Sequence, residues 1–149
     1  MNLKRAIGFS VLAYVATFII GIIAAVSIGL DSAEVEDIPT SMWIVGLISA
    51  VVLVKLAAWL YFRSPSVPAS GRNGFLFGII AVITGFVLDI ATVLPTGSLN
   101  TLWDYYANMY FWITVVAIII VTTLLGARLG VKKASGNSPQ QPPTQLSQV

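Results

Sequence analysis

Four long apolar stretches leave this chain little choice of solvent. They are residues 6–30, 41–62, 74–94 and 105–129, and an α-helix needs only ~20 mostly apolar residues to cross the hydrocarbon of a bilayer. Soluble domains are about 25% charged; here the charged fraction is 9%, against 57% hydrophobic residues. A 149-residue water-soluble fold has too little interior to hide that much apolar surface. In lipid the backbone must satisfy its own hydrogen bonds, so each stretch is expected to be a helix despite its many β-branched residues. The expected fold is all-α: a four-helix transmembrane bundle over residues 1–133, followed by a disordered tail over 134–149.

Charge placement sets the expected orientation. Lys4, Arg5, Arg63, Arg72, Arg128, Lys132 and Lys133 flank the stretches on one side, seven of the eight basic residues. Asp31, Glu34, Glu36, Asp37 and Asp104 lie on the other, five of the six acids. Basic loops stay cytoplasmic, so both termini are expected inside a plasma (inner) membrane, with the acidic 31–40 loop external. The net charge of +2 is then a topology signal, and nucleic acid is not an expected partner. Trp43, Trp103, Tyr105, Tyr106 and Tyr110 fall at the outer interface, and Trp59, Tyr61, Phe62 and Phe75 at the inner one, levels that amphipathic rings prefer. The first stretch follows MNLKR as a signal sequence would, but exceeds the 7–15 residues of a signal peptide's apolar region; it is expected to stay uncleaved.

The absence of Cys and His narrows the chemistry. It removes thiol and disulfide chemistry, histidine acid–base catalysis, histidine-held haem and the usual zinc sites. No cofactor, metal site or catalytic residue is expected. The tail holds a PxxP at Pro139–Pro142 and a Ser147-Gln148-Val149 ending like a PDZ ligand, but its Pro, Gln and Ser content reads as a solvated cytoplasmic end.

One acid breaks the apolar pattern. Asp89 falls within "ITGFVLDIATVLP". Gly74, Gly78, Ala81, Gly85, Asp89 and Thr92 recur at intervals of three and four, which puts all six on one helix face. Small faces let membrane helices pack closely, so this face should point inward and carry Asp89 with it. Ser10, Tyr14, Thr17, Gly21 and Ala24 mark a similar face on the first stretch, and Gly46, Ala50, Leu53 and Ala57 on the second. The fourth offers two candidates, Tyr110/Thr114/Ala117/Val121 or Asn108/Trp112/Thr122/Gly126. At the depth of Asp89 the expected partners are Ser49, Thr92, and Tyr110 or Asn108 with Trp112. Lys55 falls opposite the second stretch's small face, where a lysine snorkels toward the membrane surface; an ion pair with Asp89 is the alternative, opposed by a depth difference of roughly 10 Å.

Two functions follow from different classes. Asp89 as interhelical glue suits a non-catalytic subunit or accessory protein of a membrane complex. As a titrating site, it suits a proton- or cation-coupled small transporter, working as an oligomer because four helices make a thin pathway. An enzyme is the third choice, since it would rely on Asp, Tyr and Ser acting on a lipid. The expected partners are the lipid bilayer and either further copies of the chain or a membrane complex. Small multidrug transporters, four-span glutathione-linked membrane enzymes and DoxX-like proteins share the size and span count, but no motif here assigns the chain to any of them.

Overall fold

The structure is a computed structural model and describes residues 1–27, 39–93, 103 and 105–136. Four long helices account for most of them: Leu3–Ser27 (α1), Thr40–Arg63 (α2), Gly71–Val93 (α3) and Met109–Gly136 (α4). All four are long and apolar enough to cross a membrane. At 1.5 Å per residue even α3 reaches about 35 Å, against a hydrocarbon core of about 30 Å. No strand occurs among the described residues. The acidic 31–38 segment, Asp104 and residues 137–149 lie outside the described residues; α4 runs three residues into the stretch expected as tail.

The helices form a ring. α1 packs on α2, α2 on α4, α4 on α3 and α3 on α1, with α2 and α3 nearly out of contact across the diagonal. The closest seam joins α3 and α4, and the thinnest of the four joins α1 and α3. Glycines explain the close seam. A Cβ on Gly74 would run into the backbone of Thr122 and Thr123, and one on Gly78 would stand 2.5 Å from the Thr122 hydroxyl. From the other side, Gly126 meets Ser70 and Gly74 with the same lack of room. Thr122 is fully buried there and donates its hydroxyl to the Ile118 carbonyl, so the tight face hides no unpaired polar group.

The inward face of α4 follows neither expected one in full: Thr122 and Gly126 of the second are buried but its Trp112 is exposed, and Thr114 of the first lines the bundle interior. Phe111, Val115, Ile118, Thr122, Leu125 and Leu129 turn toward the other helices. Their spacing of four and three is a seam of period 3.5, as in left-handed coiled packing, the same spacing as Tyr110/Thr114/Ala117/Val121 but displaced by one residue.

Helix ends follow local chemistry. Ser70 caps α3, its hydroxyl accepting the Asn73 N–H at 3.2 Å. The fourth stretch does not start at Tyr105 as expected. Asn108 interrupts it, and its Oδ1 accepts the Tyr110 N–H at 2.9 Å, the bond of an N-cap residue. Residues 105–107 make a separate helical turn before that break, pinned to α4 by the Trp112 indole donating to the Tyr106 carbonyl at 2.9 Å.

The basic end of the bundle is solidly closed. Tyr61, Phe62 and Phe77 are fully buried with ring centroids 5.0–6.2 Å apart, over Ala6, Ala58 and Val67. Tyr61 and Phe62 thus pack in the core at the level expected of them, whereas Trp59 and Phe75 stay exposed. The α2–α3 loop is clamped from both sides. Arg5 donates to the Ser64 hydroxyl at 2.8 Å, and Lys133 donates to the Ser64 and Val67 carbonyls, both at 3.1 Å.

Candidate functional site

The other half of the ring is hollow. A cavity of about 300 Å³ lies between all four helices, with Val54, Ala81 and Ile118 near its floor. Gly46 and Gly85 keep it open: nothing stands within 4 Å of a Cβ on Gly46, and only the Tyr14 ring approaches one on Gly85, at 3.8 Å. Trp43, Phe86, Tyr105 and Phe111 border it with aromatic rings. Most of its wall is apolar, and among the described residues Asp89 is the single ionisable acid or base of the lining apart from the phenols of Tyr14 and Tyr105.

Asp89 is half-buried on the inward face of α3. The Tyr14 hydroxyl of α1 donates to its Oδ1 at 2.6 Å, and the Tyr106 hydroxyl donates to its Oδ2 at 3.3 Å. The first bond crosses the α1–α3 seam, the thinnest of the ring. The second ties Asp89 to the turn before α4. Tyr106 is held for this by stacking on Phe86 at 4.6 Å and by Phe111 edge-on at 4.8 Å. Tyr105 lies against Trp43 at 5.3 Å. Both tyrosines precede α4, outside the spanning helices. Burial, reinforced by the nearby Asp89 charge, pushes the Tyr105 phenol up to about 12 and raises Tyr106 as well. Tyr106 therefore stays a protonated donor at neutral pH.

The partners expected for Asp89, Ser49, Thr92, Tyr110, Asn108 and Trp112, make other contacts. Ser49 donates to the Gly46 carbonyl of its own helix at 3.0 Å. Thr92 is exposed and donates back to the Leu88 and Asp89 carbonyls. Asn108 caps α4, and Tyr110 stacks on Trp43 with centroids 6.3 Å apart. Serine and threonine in helices readily bond the carbonyl one turn back, which takes them out of the competition for a carboxylate on another helix. Gly74, Gly78, Ala81 and Gly85 do share the inward face with Asp89, the first two against α4 and the last toward Tyr14. Lys55 is exposed on α2 among the exposed side chains of Val52, Leu56 and Trp59.

Tyr14 and Tyr106 are the residues that sequence reasoning did not connect to Asp89. Tyr14 had one usable signal, its place on the inward face of α1. Tyr106 had none beyond being an aromatic near the interface. Among the described residues no group of His, Cys, Asp and Glu stands close enough together to hold a metal ion. No protein family, curated protein or solved structure matches the chain.

Proposed function

We propose that this protein is a small, non-catalytic carrier of the plasma membrane, coupled to a proton or another cation through Asp89, with both termini on the cytoplasmic side. The observation that carries the reading is the cavity at the carboxylate. An acid acting only as glue would be packed shut by its donors. A carboxylate offers about four acceptor sites, and Tyr14 and Tyr106 occupy two of them, while Asp89 also borders about 300 Å³ of space. An ionisable residue inside a membrane bundle is a transport-site candidate by its cost alone. The bundle's asymmetry supports the same reading: a clamped, aromatic-filled basic end and a hollow opposite half are what access from one side at a time requires. The basic residues gathered at the clamped end favour its cytoplasmic placement.

The test is a flux measurement. Purified protein in liposomes should carry protons, or take up substrate in a pH-dependent way, and Asp89→Asn should abolish this while melting within a few degrees of wild type. Asparagine keeps the shape: its one oxygen can accept from Tyr14 while its amide N–H donates to a turned Tyr106 hydroxyl, but it cannot take up and release a proton. Flux unchanged by the substitution would dispose of the carrier and return the protein to a structural role within a membrane complex.

A further inference from the structure

We infer that the ligand of the Asp89 cavity is a small organic ammonium ion with an apolar body. The inference rests on the carrier reading above and names its substrate class.

The lining decides the charge first. Among the described residues one carboxylate and no basic side chain border the cavity, so an anion would meet only repulsion. The remaining wall argues against a bare metal ion. A hard cation such as calcium needs six to eight oxygens at close range, and sodium likewise needs several. Ser10, Thr17 and Thr114 do line the cavity, but Ser10 and Thr17 stand about 10 Å apart along α1, so the three hydroxyls do not converge on one ion. Aromatic rings stand where further oxygens would be needed. Trp43 and Tyr105 stack together, Phe111 packs on Tyr105 at 5.5 Å, and Phe86 completes the set beside Asp89. Aromatic faces attract cations whose hydration is weak, and substituted ammonium groups are the type that such sites hold best.

Shape gives the rest. The acid and the rings lie toward one end of the cavity, and Val54, Ala81 and Ile118 toward the other. Ala81 is eight residues before Asp89, about 12 Å along α3. An ammonium head at the carboxylate would therefore lay an apolar body of up to that length along the floor. A volume of about 300 Å³ is at the lower end for small-molecule pockets. The ammonium ion and a proton would compete for the same carboxylate, so binding of one displaces the other. That exchange supplies the coupling a carrier needs.

The probe is radiolabelled benzyltrimethylammonium, with the full chain in phosphatidylcholine nanodiscs, which carry no net charge of their own. Saturable binding is expected at pH 8, weakening as pH falls. A hundredfold excess of sodium, or of the neutral carbon isostere neopentylbenzene, should leave it in place. Asp89→Asn should weaken binding at least tenfold and remove its pH dependence. Gly46→Phe, which fills the cavity from a position with free space around it, should weaken binding at least tenfold with the melting temperature preserved; this arm decides the matter should Asp89→Asn fail to fold. Displacement by sodium or by the neutral isostere would overturn the assignment, as would binding that Gly46→Phe leaves untouched. Absence of binding alongside an Asp89-dependent proton flux would overturn the ligand class and leave the carrier standing. Absence of both would remove both.

Discussion

Asp89 is held by two phenols of unequal reach. The Tyr14 bond at 2.6 Å is short and crosses between helices, whereas the Tyr106 bond at 3.3 Å is long. Interhelical hydrogen bonds in a membrane bundle average about 0.6 kcal/mol and reach about 1.7, and those to an ionised group lie toward the top of such ranges. Tyr14→Phe should therefore lower stability by about 1–1.5 kcal/mol in a reversible detergent unfolding titration, and Tyr106→Phe by less. Equal effects would mean that the two bonds are shared more evenly than their lengths imply. Lys55 makes the opposite case. It is exposed on α2 among apolar neighbours, a position that suits a snorkelling stem. Lys55→Leu should fold as well as wild type or better. Severe loss of folded protein would show instead that the lysine has a partner within the membrane.

At the scale of helices, α3 and α4 approach each other through glycine and α1 and α3 do not. A Cβ at Gly74 would press on backbone that cannot swing aside, 2.9 Å from the Thr123 Cα and nearer still to Thr122. Forcing such a contact costs about 1–3 kcal/mol where the helices can part and more where they cannot. Gly74→Leu should accordingly reduce the yield of folded protein sharply, as size-exclusion profiles would show. Gly8→Ala is the matching control: Gly8 is exposed, has nothing within 4 Å of its built Cβ, and should melt at the same temperature or slightly higher. An equal loss from both substitutions would show that the α3–α4 contact is not what makes Gly74 sensitive.

For the whole molecule, the bundle is solid at its basic end and hollow at the other. The clamp of Arg5 and Lys133 on the α2–α3 loop and the Tyr61–Phe62–Phe77 cluster leave little room to move at the former. The other half is joined across the α1–α3 seam by the Tyr14–Asp89 bond. Motions that admit a ligand are expected there. Reporter fusions test the orientation of this asymmetry: those after Asp37 and Asn100 should read as external, those after Ser66 and at Val149 as cytoplasmic. An acidic loop found inside would invert the membrane frame, including the depth assigned to Asp89.

Hydrophobic length and residue spacing were enough, from the sequence alone, to read four membrane-length helices, the inward small face of α3, and the presence of an acid on that face. Those properties are local: they depend on 1.5 Å of rise and 100° of turn per residue along one helix. The Asn108 cap was equally local and open to the same reading, since an asparagine before an apolar run is a start signal for a helix. The partners of Asp89 were not local. Asp89 lies about 10 Å further along α3 than Tyr14 does along α1, so matching residues by depth alone separates them. Only the relative offset of the two helices and the length of the phenol bring them to 2.6 Å. The ring order and the cavity likewise depend on which helix lies beside which. No stretch of the chain records that, because it is set by the packing of all four faces at once.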